Sequence, residues 1–244
     1  MNLSIITSTW NLPAERLNAV CWQLSHQSET PREIIVVNAS PDADARYKNQ
    51  VVCDQYPLVK CIDAPQDVKV FNLSRASNIG LKHTCEESEY VGVVALDLLY
   101  ARNAIEALAE CAEDKVMCEY PMGSLPQAYA LGAIESVWGK WDSILNALHS
   151  NPPPYSFSPG SISCVKRDWL LSVRGYDEHR FSFSYGDSDL IHRAALCGIG
   201  IKIVPWNATQ VIHIEHPARF GIQTSPPEAE DHSIERNGDR WGEI

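Results

Sequence analysis

The chain has 244 residues, 45% of them hydrophobic and 21% charged, with a formal net charge of −11. That length buries a full core as one large α/β domain or two small ones, and the composition is globular, which excludes disordered and fibrous classes. The acidic balance argues against broad phosphate-driven nucleic-acid binding and against a polybasic membrane surface, while leaving room for a local basic groove.

No apolar stretch is long enough to span a bilayer, and the opening MNLSIITST reads as the first strand of the fold rather than a secretory leader. Eight cysteines are scattered, mostly in apolar settings such as Val51-Val52-Cys53, and no Cys-x-x-Cys pair occurs. This argues against a zinc or redox motif and suits free thiols in a reducing cytoplasm.

In chain order, Leu3–Thr7 reads as a strand ending in small polar residues, and residues 13–28 carry Leu17, Val20, Cys21 and Leu24 at a helical period. Glu33–Val37 (EIIVV) is apolar and β-branched, as parallel strands buried on both faces are. It stops at the turn-rich Asn38-Ala39-Ser40-Pro41-Asp42. Val59–Ile62 is a third, shorter strand. A helix over 74–85, a strand over 90–96 and a helix over 103–111 follow. Such alternation predicts a doubly wound, mostly parallel sheet flanked by helices.

The pattern then changes. Residues 120–160 hold Pro121, Gly123, Pro126 and Pro152-Pro153-Pro154 around a helix at 134–148, which reads as an excursion over the sheet. Order returns at 160–165, followed by a helix over 168–173 and a turn at Gly175. A helix over 187–197 is closed by Gly198, and strands at 201–204 and 209–214 complete the series. One domain over 1–217 is expected, its first hundred residues the nucleotide-binding half and 101–217 the acceptor half, with 218–244 a polar, partly disordered tail.

Several groups of residues carry chemistry. Thr7-Ser8-Thr9 and Asn38-Ala39-Ser40 follow the first two strands, where open α/β sheets bind ligands; no Gly-x-Gly-x-x-Gly follows the first strand. Arg75, in Ser74-Arg75-Ala76-Ser77-Asn78-Ile79-Gly80, opposes the dipole at a helix start; it either meets an anion such as a diphosphate or is a surface arginine. Asp97 closes the apolar VGVVALDLLY, where a lone carboxylate either takes a hard divalent cation or caps the next helix. Tyr176, Asp177 and Glu178 precede Tyr185-Gly186-Asp187-Ser188-Asp189, an acidic and aromatic group suited to a polyhydroxyl ligand, in which one carboxylate can be a general base and another a helix cap. In Val211-Ile212-His213-Ile214-Glu215-His216, strand alternation puts His213 and Glu215 on one face, which suits a single metal ligand and not a zinc cage.

The segments SIITSTWN, EIIVVNASPD, SRASNIGL, VVALD, GSISCVKRDWLLSVRGYDE, YGDSDLIHR and VIHIEH occur in one order. In that order the chain resembles inverting glycosyltransferases of the GT-A fold, in particular the family-two group with its chondroitin-polymerase and galactosyltransferase-like relatives. The resemblance covers about residues 3–217, and the closing Asn237…Arg240-Trp241-Gly242 is similar to tails in that group. It implies a nucleotide-diphosphate sugar, most often a UDP-sugar, over the first two strands, with Thr7, Thr9, Asn38, Ser40, Asp42, Arg75, Asn78, Leu96 and Asp97 on the donor side. Gly160, Tyr176, Asp177, Glu178, Tyr185, Gly186 and Asp189 would line the sugar and acceptor side, with Trp138 and Trp141 either stacking platforms or core residues. Asp187 would be the catalytic base. A Mn2+ or Mg2+ ion would be held by Asp97 with His213, or else His216. The acceptor would be a glycan or another hydroxyl compound.

The chain departs from the group's pattern at three positions. Ala95 stands where Asp-x-Asp begins, Gly186 where the first acid before the base is usual, and Asn38 where an aspartate reads the base. A catalytically impaired sugar-nucleotide or glycan-binding module is therefore the alternative, as is a phage-type enzyme acting on modified DNA bases.

Overall fold

A computed structural model describes residues 1–67, 69, 71–125, 137–146, 148, 162–180, 186–214 and 233–244. Its strands are β1 (Leu3–Thr9), β2 (Glu33–Asn38), β3 (Val59–Asp63), β4 (Tyr90–Val94), β5 (Leu98–Tyr100), β6 (Val116–Glu119), β7 (Met122–Leu125), β8 (Ile162–Lys166), β9 (Gly200–Ile203) and β10 (Val211–Ile214). Its helices are α1 (Ala14–Ser25), α2 (Ala43–Cys53), α3 (Leu73–Lys82), α4 (Ala104–Cys111), α5 (Trp141–Asn146), α6 (Arg167–Ser172) and α7 (Gly186–Leu196).

Seven strands form one sheet in the order β3-β2-β1-β4-β8-β6-β9. The first four are mutually parallel, β8 runs antiparallel to both its neighbours, and β9 pairs parallel with β6. From β1 the chain steps one way to β2 and later the other way to β4, so a crevice opens at the carboxyl ends of β1 and β4. The expected mostly parallel α/β architecture is present, with β8 the reversed strand.

Alternation along β1 and β2 explains the two-sided core. Leu3, Ile5, Ile34 and Val36 face Leu17, Val20 and Leu24 of α1 and Val52 and Cys53 of α2. Ile6, Ile35 and Val37 face Ala76 and Ile79 of α3 and Leu190 of α7. Each such aliphatic side chain contributes about 1.5–3 kcal/mol by leaving water. Helix α3 sits close because it presents Gly80, where an added Cβ would lie 2.4 Å from Ile6 Cγ2 and 3.3 Å from Val37 Cγ2. Gly80→Ala should therefore lose about 1–3 kcal/mol of stability. A fall in melting temperature without a change in metal affinity would show it.

Several boundaries differ from the sequence reading. The strand expected over 90–96 stops at Val94; Leu96 and Asp97 form a turn, and β5 starts a second sheet of order β5-β10-β7. Helix α2 was not anticipated, nor were β6 and β7, which fall at the edge of the expected excursion. Of the helix expected at 134–148, the described part is a 3-10 turn at Trp138–Lys140 leading into α5. Residues 233–244 are tied to the body, with Asn237 and Trp241 buried. All eight cysteines are free.

Candidate active site

The second sheet makes the central feature. β10 runs antiparallel to β5 with His213 opposite Leu98, and Ile214 N donates to Asp97 O at 2.9 Å. This register brings His213 Nε2 to 3.3 Å from Asp97 Oδ2, both side chains partly exposed. Asp97 thus does not cap the helix that follows it; the cap position of α4 is Asn103. Adjacent ligand atoms on an octahedral ion with bonds of about 2.1 Å lie about 3 Å apart, so one carboxylate oxygen and one imidazole nitrogen at this spacing fit a hard or borderline divalent cation. Among the described residues no group of three or more potential ligands gathers. His216, Gly160 and Tyr185 lie outside the described residues.

The strand ends beside it are more enclosed than the sequence suggests. Thr7 and Thr9 are buried, their hydroxyls without a hydrogen-bond partner in the structure. Asn38 is buried too: its amide donates to Arg46 O at 2.9 Å, and its carbonyl accepts from Asn49 Nδ2 at 3.0 Å. Ser40 Oγ accepts from Asn11 N, and Asp42 caps α2 through Ala45 N. Arg46, unremarked in the sequence, braces this loop by donating to Ser40 O and Pro41 O while pairing with Asp63. A cleft of about 370 Å³ between the starts of α1 and α2 is lined by Glu15, Asp42, Asp44 and Lys48, a net-acidic lining that disfavours a diphosphate.

Helix α3 is capped by Asn72, whose side chain accepts from Arg75 N and donates to Glu178 O. Arg75 is exposed and reaches Glu243 O at 3.1 Å. Asn78 is fully buried and clips the loop after α6: Oδ1 accepts from Tyr176 N, and Nδ2 donates to Tyr176 O and Glu178 Oε1, all at 2.7–2.8 Å. Gly175 allows this approach; its φ is +65°, and a Cβ there would lie 2.0 Å from Asn78 Oδ1.

The four acids of this region separate by environment. Asp177 Oδ1 accepts from the backbone N–H of His179 and Arg180, and Glu178 is held by Asn78 and Gly242 N. Asp189 is buried between Arg193 at 2.8 Å and Arg236 at 3.0 Å. Asp187, in the first turn of α7, has no such bond to another described side chain. The residue keeps some surface, but protein crowds its carboxyl, and that desolvation pushes its pKa up to about 6. Behind it the Tyr176 phenol, held far above its ordinary range first by burial and then by the charge of Asp187, also feels Glu119. Glu119 is fully buried at the end of β6, opposite Ser163. VMCEY, like VVALD, is an apolar run ending in one acid, the signal that would have found it.

Trp138 and Trp141 pack on the cluster of Leu99, Leu125, Ile144 and Ile212, and their ring N–H groups donate to Tyr100 O and Gln210 Oε1. They are built into the second sheet's support.

No family model matches the sequence, and no curated protein matches it. Solved structures do. A mannosyltransferase from Pyrobaculum calidifontis, solved with GDP-Man and Mn2+, is 18% identical with a TM-score of 0.58, over 88% of this chain and 56% of its own. GalNAc-T7, solved with UDP, GalNAc and Mn2+, is 13% identical with a TM-score of 0.65, over 92% of this chain and 46% of its own. TarS of S. aureus is 16% identical with a TM-score of 0.58, over 88% and 37%. The chain has the GT-A fold, and it spans between about a third and a little over half of the length of these neighbours. No helix among the described residues is long and apolar enough to cross a membrane.

Proposed function

We propose that this chain is a metal-assisted glycosyltransferase that moves a sugar from a nucleotide-diphosphate sugar to an acceptor hydroxyl with inversion at the anomeric carbon. The observation that carries the reading is the convergence at 3.3 Å of Asp97, in the turn after β4, and His213 of β10. The similar structures solved with GDP-Man or UDP and with Mn2+ support it from the side of the fold.

In the reaction, an acceptor oxygen attacks the anomeric carbon as its proton passes to the Asp187 carboxylate. The bond from that carbon to the diphosphate breaks in the same displacement, and the electron pair leaves with the diphosphate. A base with a pKa of about 6 is ionised at neutral pH and still basic enough to share the proton in the transition state. Asp97 and His213 would hold the cation, which, when bound, offsets charge on the departing diphosphate.

Incubation with manganese and a panel of UDP-, GDP-, CDP- and TDP-sugars, followed by measurement of free nucleotide, tests this reading. Release from one donor class is expected. A second reading rests on Ala95 and Gly186, which leave the metal and base positions each one acid short. Under it the chain is a binding module, and calorimetry would find nucleotide-sugar binding with no turnover for any donor or acceptor.

A further inference from the structure

Residues 233–244 pass directly behind the loop and helix that carry the proposed base. Arg236, its side chain almost fully buried, donates to Asp189 Oδ1 from Nη2 at 3.0 Å and from Nε at 3.2 Å, two residues along α7 from Asp187. Asn237 Nδ2 donates to Arg174 O at 2.7 Å and Tyr176 O at 2.6 Å, while its Oδ1 accepts from Glu178 N at 3.0 Å. Gly242, at φ +66°, donates its N–H to Glu178 Oε1, and Trp241 is buried with Lys82 of α3 over its ring at 4.0 Å. One segment therefore fastens three things together: α3, the Gly175–Glu178 loop, and the first turns of α7.

We propose that this C-terminal segment is part of the catalytic apparatus, with Arg236 and Asn237 acting as positioning residues that fix Asp187 through Asp189 and the Tyr176 backbone. The physical reason lies in the direction of the bonds. Asp189 points from α7 toward the segment and is held on its other oxygen by Arg193, which is anchored in turn to Val173 O and Ile234 O. Losing the Arg236 side removes the bond that ties Asp189 to the C-terminal segment, while the body of α7 stays packed through Leu190 and Ala194 and bonded through Arg193 to Val173 O and Ile234 O. The first turn is then less firmly placed, and Asp187 on that turn shifts with it. Displacement of a reacting group by about 1 Å costs about 10²-fold in rate. The Asp97–His213 pair is placed by the pairing of β10 with β5, so manganese-dependent nucleotide binding should change little.

The inference rests on Asp187 as the base, and the experiment separates the two ideas. Arg236→Met, Arg236→Lys and Asn237→Ala are compared with Asp187→Asn, and with Glu110→Ala as a control on an exposed residue of α4. Donor turnover, donor KM, manganese-dependent nucleotide affinity by calorimetry and melting temperature are measured for each. Arg236→Met and Asn237→Ala should lower kcat about 10- to 100-fold, with donor KM and nucleotide affinity within about threefold of the parent. Arg236→Lys should recover part of the loss, and Glu110→Ala should lose nothing. If Asp187→Asn is inactive while Arg236→Met and Asn237→Ala turn over at the parent rate, the positioning role is overturned and the base stands. If Asp187→Asn is itself as active as the parent, the base assignment fails, and this proposal with it. Equal losses of kcat, nucleotide affinity and thermal stability would also overturn it, by giving the segment a role in folding alone.

Discussion

Asp187→Asn should reduce sugar transfer by about 10²–10⁴-fold and, at pH 8, raise the melting temperature of the protein. Both effects have one cause. The carboxyl is desolvated, so its pKa stands at about 6 against an ordinary value of 3.8, and ionising it in the folded state is unfavourable. Between those two values the folded chain binds a proton that the unfolded chain has released, so stability falls as pH rises through this window. The contribution of protonated Asp187 is complete below about pH 4 and lost above about pH 6. Asparagine is free of that dependence. The gap in melting temperature between variant and parent should vanish at acid pH, open as pH rises from about 4 to about 6 and stay level above. Transfer by the parent should rise over the same range, because only the ionised base works. An Asp187→Asn protein no more stable than the parent at pH 8 would mean that the carboxyl is well solvated, and a base tuned by burial would be excluded.

Asp97→Ala and His213→Ala should each weaken manganese-dependent binding of a nucleoside diphosphate by at least about tenfold, with metal-independent binding changed far less. Calorimetry with and without a chelator reads the difference directly. Because the two side chains converge on one point, the double variant should lose little more than either single one, the signature of two groups serving one ion. If the losses added in full, the two residues would be acting separately and the shared metal site would be refuted.

Most of the parallel core was legible because EIIVV and SIIT are apolar in both parities, which only a strand covered on two sides requires. Helix α2 was not legible, since Ala43–Cys53 buries only Asn49, Val52 and Cys53 and shows no apolar stripe. β6 and β7 are four residues each and separated by Pro121, so they resemble loop. At the site, residue type and the order of the motifs singled out Asp97, His213 and Asp187 as candidates. They did not separate side chains that face a ligand from those that bond the backbone. Asn38, Asn78, Asp177, Glu178 and Asp189 all read as ligand chemistry, and in this structure all five are engaged by the protein itself. A buried polar group needs a partner whichever role it has, so composition alone is silent on which. The tail misled for the same reason: its fastenings are polar.

The short second sheet has a consequence for how this protein tolerates change. Ile212 and Ile214 face the apolar cluster with Leu99 and Leu125, while His213 between them faces the opposite way. A slide of β10 by one residue against β5 would present an isoleucine where the imidazole now stands. The two isoleucines therefore act as a ratchet stop, holding the strand in the one alignment that sets the imidazole beside Asp97. Drift at these greasy positions would mis-index the strand and part His213 from Asp97 while both side chains stayed intact.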